Sequence, residues 1–267
     1  MQLYKKIVLV VLVSVATSPI YAADSSTVLV TGANRGLGLV WVEKYVERGW
    51  NVIATARKPA AAVELKALAE RTGRVRIERL DVTDAKSVAA LARALDGVPV
   101  DVLINNVGML GDEAGQKFGA LDPQQFDTFM RVNALGALLV TEALMPNLRA
   151  GKQKKVAGIS AVVASFDVYP RIHHGLYYYK ASKVALNMIL RNIALDGEPD
   201  GIAVAVLSPG VVNTSGAPEN RDRMSPEMRR SMIDIDTSIN GMIDVMDNLT
   251  IEGSGKWYRY DGSIIPW

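Results

Sequence analysis

The sequence contains no cysteine and only two histidines, His173 and His174, among its 267 residues. Without cysteine the chain has no disulfides, no thiolate nucleophile and no cysteine-ligated metal, and two histidines leave few nitrogen ligands for a transition metal. We therefore expect no metal in the functional site. The histidine pair falls in a predicted loop, where exposed side chains are the expected interpretation.

The sequence also lacks a strong excess of either charge. The chain has 30 Lys and Arg residues and 28 Asp and Glu residues, which gives a formal net charge of +2. Aromatic residues make up only 6% of the sequence. No basic stripe is interleaved with aromatic residues, so nucleic acid is not expected as a partner and a small molecule is favoured. A hydrophobic content of 49% with 22% charged residues is typical of one globular domain with a substantial core.

Long hydrophobic runs are absent except near the start of the chain. Two lysines precede an apolar run over residues 7–16, which is followed by a proline and two alanines. The run is shorter than the roughly 18 to 20 apolar residues that span a membrane. The pattern favours an excised signal peptide at residues 1–22, with one domain at 23–267, over a stable membrane anchor or a buried leader strand. The protein is then exported, to a periplasm or out of the cell, whereas a retained leader would leave it cytoplasmic.

From residue 27 onward, short β-branched runs alternate with amphipathic segments of helical length. The alternation predicts a single Rossmann-type α/β domain, with a doubly wound parallel sheet of about seven strands and helices on both faces. The strands are predicted at residues 27–30, 51–56, 75–80, 100–105, 155–160, 202–207 and 255–260. The helices are predicted at residues 36–49, 61–71, 84–95, 123–149, 177–195 and 226–248.

A glycine-rich segment separates the first predicted strand from the first helix. Residues 31–38 read TGANRGLG, and we call them the glycine turn. Such a turn lets backbone N–H groups and the positive end of a helix approach a pyrophosphate, because no side chain blocks the way. The spacing G-x-x-x-G-x-G differs from the common dinucleotide fingerprint G-x-G-x-x-G. The residues alone are therefore compatible with a phosphate site or with an ordinary tight turn.

Tyr179 and Lys183 lie in the segment YKASK, a spacing that places both side chains on one face of a helix. A free tyrosine has a pKa near ~10, and a neighbouring ammonium favours the phenolate and lowers that pKa. The pair is a candidate general acid and base. The same spacing also occurs when a core tyrosine precedes a solvated lysine.

In their order along the chain, these motifs resemble the classical short-chain dehydrogenase/reductase family, and the resemblance covers essentially residues 27–267. The glycine turn matches the family's T-G-x-x-x-G-x-G, and NNVG at 105–108 resembles its N-N-A-G. SPGVVNT at 208–214 resembles the stretch that contacts the nicotinamide carboxamide. The tail at 260–267 further resembles the C-factor-like and sniffer-like branch, which is related to carbonyl reductases.

The resemblance implies a hydride transfer between nicotinamide and a carbonyl or alcohol carbon, in which Tyr179 moves the proton on oxygen. Lys183 would hold the ribose and depress the tyrosine pKa, and Asn133 would support a proton-relay water. Homodimers or homotetramers are implied, through the helices that begin near Pro123 and Tyr177. The residues expected to bind the cofactor are Gly32, Asn34, Arg35, Gly36, Leu37, Gly38, Arg57, Asp81, Val82, Asn105, Gly108, Tyr179, Lys183, Pro209, Val212 and Thr214.

One position departs from the family pattern. The substrate-orienting serine that follows the fifth strand in the family falls on Ala161, which has no hydroxyl. Ser160 replaces it only if the strand end is bulged or irregular, because a shift of one residue turns a side chain to the opposite face. Ser165 is a second candidate, and the remaining alternative is that the orienting hydroxyl is absent.

The end of the second predicted strand favours NADP(H) as the cofactor. An acidic residue there would bond the ribose 2′-OH of NAD, but the segment TARK at 55–58 supplies two cations and no acid. Arg35, within the glycine turn, is expected to approach the same 2′-phosphate as Arg57. The alternative is that both arginines are solvated surface charges.

The sequence thus predicts an NADP(H)-dependent oxidoreductase acting on a small-molecule carbonyl or alcohol. The alternative is a catalytically weak nucleotide-binding signalling or regulatory protein on the same scaffold, favoured by Ala161 and by the C-factor-like tail. The substrate mouth is expected in the loops at residues 161–176 and 211–225, and their sequences do not identify the substrate. Export counts against catalysis, because nicotinamide cofactors are scarce outside the cytoplasm.

Overall fold

The computed structural model describes residues 25–168, 175–213 and 229–267. The predicted signal peptide, the two histidines and Thr214 lie outside these residues. Within them, no helix is both long enough and apolar enough to cross a membrane.

Seven parallel strands form the central sheet in the order β3-β2-β1-β4-β5-β6-β9. Because β1 pairs with both β2 and β4, Val28 lies beside Val52 on one side and Val102 on the other. The strand order reverses there and opens a crevice at the carboxyl ends of the strands, where ligands of such sheets bind. The strands are β1 Thr27–Val30, β2 Asn51–Ala56, β3 Val75–Arg79, β4 Val102–Asn105, β5 Lys155–Ile159, β6 Ala203–Ser208 and β9 Trp257–Arg259. A separate parallel pair consists of β7 Val211–Val212 and β8 Met232–Ile233.

Helices cover both faces of the sheet and create two apolar cores. One core contains Trp41 and Tyr45 of α1 and residues of α2 and α8, and the other contains Leu186 and Leu190 of α7 with residues of α3, α5 and α6. The helices are α1 Gly36–Glu47, α2 Val63–Thr72, α3 Ala85–Ala94, α4 Gln124–Met130, α5 Gly136–Ala143, α6 Met145–Ala150, α7 Tyr177–Gly197 and α8 Ile235–Asp247. The predicted Rossmann-type α/β domain with a seven-stranded parallel sheet is confirmed.

Two helix predictions were wrong in extent. The single helix expected at 123–149 is divided into α4, a π-helical turn at Arg131–Leu135, α5 and α6. The break before α6 has a local cause, because Pro146 has no N–H to continue the preceding helix. The helix expected at 226–248 is interrupted: Arg229 and Arg230 are helical, β8 follows at Met232–Ile233, and α8 begins at Ile235, where the Asp234 side chain accepts from Thr237 N at 3.1 Å.

Candidate active site

The glycine turn is fixed at the crevice by close backbone packing and by hydrogen bonds between Thr31 and Asn106. Gly32 has a φ of +66°, a left-handed conformation that favours glycine. A Cβ on Gly38 would lie 2.2 Å from Gly32 O, so α1 packs directly on the backbone of the turn. Asn106 Nδ2 donates to Thr31 O at 2.9 Å and holds the start of the turn against the end of β4. The turn therefore keeps its shape through interactions within the protein.

The N-terminus of α1 is suited to an anion. An α-helix leaves its first N–H groups without intrahelical partners, and its dipole favours negative charge there. Arg35 at the N-cap makes no side-chain hydrogen bond to the helix, and no acidic residue lies in the first turn. Asn34 and Arg35 are exposed, whereas Gly38 is buried. The glycine backbone and these N–H groups fit the pyrophosphate of a dinucleotide.

The ends of β2 and β3 carry a cation and a carboxylate. Arg57, directly after β2, is exposed. Asp81, shortly after β3, accepts hydrogen bonds from Thr83 Oγ1 at 2.7 Å and Thr83 N at 3.0 Å. These bonds, helped by the charges of Arg57 and Arg79, hold the pKa of Asp81 below its ordinary value. The Asp81 carboxylate is therefore available as an acceptor near Arg57.

In the segment NNVG at the end of β4, the asparagine that contacts the glycine turn is Asn106 and not the predicted Asn105. Asn105 Nδ2 donates to Thr141 Oγ1 at 3.0 Å in the buried interior. Its neighbour Asn106, absent from the predicted site residues, is the one that contacts the glycine turn. A Cβ on Gly108 would lie 3.2 Å from Lys183 Nζ, so the backbone here forms the wall beside the lysine.

Tyr179 and Lys183 lie together on α7, as their spacing predicts. Lys183 is only 4% exposed, and its Nζ donates to Ile159 O at 2.7 Å. The same ammonium lies 5.8 Å from the centroid of the Tyr179 ring. Burial lowers the pKa of Lys183 to about 8. A buried, anchored cation thus lies beside the phenol, which is the arrangement that favours a phenolate.

Asn133 joins the loop after β4 to the tyrosine helix. It lies in the π-helical turn, a feature that occurs frequently at functional sites. Its Oδ1 accepts from Met109 N at 2.7 Å, and its Nδ2 donates to Met109 O and to Ser182 Oγ, both at 2.9 Å. Ser182 Oγ in turn donates to Tyr179 O at 2.8 Å. Ser182 was missed as a site residue although it lies within YKASK.

The candidate hydroxyls after β5 both have partners within the protein. Ser160 is 2% exposed, and its Oγ donates to Asn187 Oδ1 at 2.6 Å. Ala161 follows with extended backbone and no hydroxyl. Ser165 Oγ donates to Pro266 O at 2.8 Å, at the end of the chain. The orienting role expected for Ser160 stays a prediction, and it requires the bond to Asn187 to open.

The segment after β6 closes the edge of the site. Pro209 O accepts from Ser238 Oγ of α8 at 2.7 Å, and Val212 pairs with Ile233 between β7 and β8. The cofactor-binding residues expected at these positions thus lie beyond the carboxyl end of β6. Across the described ranges, no group of three or more His, Asp or Glu side chains could hold a metal ion.

Comparison with known proteins gives consistent results. A family model described as short chain dehydrogenase matches residues 26–225. The C-signal protein of Myxococcus xanthus is 35% identical over 169 residues, covering 63% of this chain and 93% of that protein. An uncharacterized oxidoreductase of Schizosaccharomyces pombe is 32% identical over 257 residues, covering 92% and 99%. The NADPH-bound carbonyl reductase from chicken fatty liver superimposes with a TM-score of 0.81 at 29% identity, covering 91% and 99%.

Proposed function

The chain belongs to the short-chain dehydrogenase family of oxidoreductases, and from that premise we propose that it is NADP(H)-dependent and acts on a carbonyl/alcohol pair. The observation that carries this proposal is the Tyr179–Lys183 unit. Its ammonium is buried, anchored on Ile159 O and 5.8 Å from the tyrosine ring. The segment at 105–108 borders both the glycine turn, through Asn106, and Lys183, at Gly108, which supports one continuous site for a dinucleotide.

Each part of the site then has a defined role. NADP(H), when bound, supplies or accepts the hydride. The glycine turn and the N-terminus of α1 bind the pyrophosphate, and Lys183 Nζ holds the ribose. Tyr179 Oη gives its proton to the carbonyl oxygen during reduction and takes it back during oxidation. A positioned acid of this kind contributes about 10²- to 10⁴-fold to the rate.

The decisive experiment replaces the tyrosine hydroxyl. We expect Tyr179→Phe to lower kcat for NADPH oxidation with aldehydes, ketones or quinones by at least about 10²-fold, while the affinity for NADPH is retained. Tyr177→Phe is the matched control, because Tyr177 lies two residues away on α7 and is 46% exposed. Turnover that survives in Tyr179→Phe would refute the mechanism.

The preference for NADP(H) rests on Arg35 and Arg57, and on an NADPH-bound relative. We expect Arg57→Glu to reduce the ratio of NADPH to NADH affinity by about 10- to 100-fold, because it removes a charged hydrogen bond to the 2′-phosphate and supplies an acceptor for a 2′-OH. Lys66→Glu, on the exposed face of α2, makes the same charge change away from the site. An unchanged ratio in Arg57→Glu would contradict this role of Arg57.

A catalytically weak regulatory protein is the second candidate. Ala161 supports it, since the position lacks a hydroxyl while Ser160 and Ser165 donate to Asn187 and Pro266. The similarity to the C-signal protein is a further reason to test it. NADPH binding without turnover of any aldehyde, ketone or quinone would favour this candidate over the oxidoreductase.

We also propose that residues 1–22 are removed on export, as the leader pattern predicts. Mass spectrometry of the native protein would then show an N-terminus near residue 23. An intact N-terminus at Met1 or Gln2 would refute cleavage and favour the alternative of a cytoplasmic protein. The homodimer or homotetramer implied by the family resemblance stays a prediction, and analytical ultracentrifugation of the mature chain would test it.

A further inference from the structure

Gln116 has an unusual environment in the loop between β4 and α4. Its side chain is fully buried, although glutamine is mostly exposed in folded proteins. Nε2 donates to Leu110 O at 2.8 Å and Asp112 O at 3.1 Å, and Oε1 accepts from Tyr179 N at 2.9 Å. The two carbonyls and one N–H fix the orientation of the amide, because only the nitrogen can meet the carbonyls. Every hydrogen bond of this side chain is therefore made to backbone.

The hydrogen bond to Tyr179 N meets a requirement of α7. The helix begins at Tyr177, so Tyr179 N belongs to the first N–H groups, which have no intrahelical partner. Ser, Thr, Asp or Asn usually caps such groups from the N-cap position. Here that position is Leu176, which has no side-chain oxygen and a left-handed φ of +57°. Gln116, 63 positions earlier in the chain, supplies the acceptor instead.

The cap acts on the turn that carries the reactive tyrosine. Lys183 lies one turn further into α7 and is held by Ile159 O, so its position does not depend on the first turn. Tyr179 lies in the first turn, where helices fray. If that turn opens, the phenol shifts relative to the ammonium, and a misplacement of about 1 Å can cost about 10²-fold in rate.

We propose that Gln116 is a positioning residue for Tyr179, which caps α7 from the loop after β4 and fixes the phenol beside Lys183. The inference rests on the proposed function, because it concerns the proton transfer at Tyr179 Oη. The Gln116 side chain hydrogen-bonds backbone atoms of Leu110, Asp112 and Tyr179, so its effect on the phenol is transmitted through the backbone of α7.

The first test is Gln116→Met, which keeps the length of the side chain and removes the amide. We expect kcat to fall about 10- to 100-fold while KM and the Kd of NADPH change less than about 3-fold, because positioning acts on the transition state. Hydrogen exchange at Tyr179 N should accelerate at least about 10-fold. The matched control is Asp84→Ala, which removes the side-chain acceptor for Lys86 N at the N-cap of a different helix, α3. It should leave kcat and the exchange at Tyr179 N unchanged.

A double-mutant cycle separates positioning from general destabilisation. If Gln116 acts through the phenol, Gln116→Met causes no further loss of residual turnover in a Tyr179→Phe background. A full additional loss in that background would overturn the proposal.

Hydrogen exchange keeps this test independent of turnover. If the wild-type protein binds NADPH without turning over a carbonyl, and exchange at Tyr179 N still accelerates in Gln116→Met, the proposed function fails and the cap stands. If the wild-type protein is active and Gln116→Met changes neither kcat nor exchange, the cap fails and the proposed function stands.

A second pair of variants applies if Gln116→Met does not fold. Gln116→Glu can stay protonated when buried, so that it accepts from Tyr179 N and donates to one loop carbonyl. Gln116→Asn keeps the amide but is one methylene too short to bridge the loop and the helix. We expect slow exchange at Tyr179 N in the first variant and fast exchange in the second. Equal exchange in both variants would overturn the proposal.

Discussion

The two sides of the candidate site are held in place by different means. On the cofactor side, the glycine turn at 31–38 leaves no room for a side chain at Gly38, which packs on Gly32 O, and Thr31 and Asn106 within or beside the turn tie it to the end of β4. On the tyrosine side, Tyr179 depends on side chains brought from elsewhere, chiefly Gln116 and, through Ser182, Asn133.

The difference indicates which kinds of change each side can tolerate. The turn has almost no freedom at Gly38, because an added Cβ there meets the carbonyl oxygen of Gly32. A helix end held by side chains can be adjusted one hydrogen bond at a time. We therefore expect a substitution at the close-packed Gly38 to weaken NADPH binding strongly, and substitutions of the side chains that support Tyr179 to change rates or stability by degrees.

The largest effect is expected from Gly38→Ala, which breaks the cofactor side. The new Cβ would lie 2.2 Å from Gly32 O, so the turn must move and its N–H groups lose the phosphate. Two lost hydrogen bonds to a charged group, at about 1.5 to 3 kcal/mol each, correspond to about 10²- to 10⁴-fold in the Kd of NADPH. Isothermal titration calorimetry measures this loss.

Gly49→Ala is the control for Gly38→Ala. Gly49 has a φ of +79° with open space around its Cα, so alanine there strains the backbone without touching the turn. It should lower the free energy of unfolding by about 1 to 2 kcal/mol and leave NADPH affinity unchanged. Equal NADPH affinities in Gly38→Ala and Gly49→Ala would contradict the close-approach argument.

The next effect concerns Lys183, where the two sides meet. Burial lowers its pKa to about 8 from an ordinary value of 10.5, so the unfolded chain binds more protons between these pH values. The stability contributed by this group is therefore lost as pH falls through about 8 and is fully present above about 10.5. The gain across this window is roughly 3 kcal/mol.

Urea unfolding of wild type and Lys183→Met measures this pH dependence. The difference in unfolding free energy between them should change in favour of wild type as pH rises from about 7.5 to about 10. A difference that stays constant with pH would show that the lysine is not desolvated in the folded protein.

The fold followed from local patterns more completely than the site did. All seven strands of the sheet were predicted within two residues of their observed ends, because β-branched runs between helical segments define buried parallel strands. The helix at 123–149 was wrong because nothing in the sequence of Arg131–Leu135 signals a π-helical turn. The second break does have a signal in the sequence, because Pro146 has no N–H to continue a helix.

Within the site, residues that act through backbone geometry were the predictable ones. Gly32 and Gly38 were identified because a positive φ and a close approach both require glycine. Asn106 lies inside a motif that was found, but its partner Thr31 is 75 positions away, so the motif did not reveal the contact. No spacing rule predicts the contacts of Gln116 and Asn187. Only the folded chain brings Gln116 to Tyr179 N and Asn187 to Ser160.

A smaller effect is expected from Ala161→Ser, which supplies the hydroxyl that the tyrosine side lacks. One added hydrogen bond to the substrate oxygen is worth about 1 kcal/mol, so kcat/KM should rise about 5- to 10-fold. Ala120→Ser makes the same chemical change at an exposed loop position and should have no effect. A fall in kcat/KM would show that the position excludes a hydroxyl.

The smallest effect on the rate is expected from Ser160→Ala, the variant that tests the hydroxyl predicted to replace the missing serine. Its Oγ donates to Asn187 Oδ1 at 2.6 Å and is buried, so its removal leaves a buried acceptor without that donor. We expect the free energy of unfolding to fall by about 1 to 2 kcal/mol, while kcat/KM changes less than about 3-fold. A drop in kcat/KM of about 10²-fold at unchanged stability would show instead that Ser160 leaves Asn187 and orients the substrate. The tyrosine side would then contain the complete set of groups that its family resemblance implies.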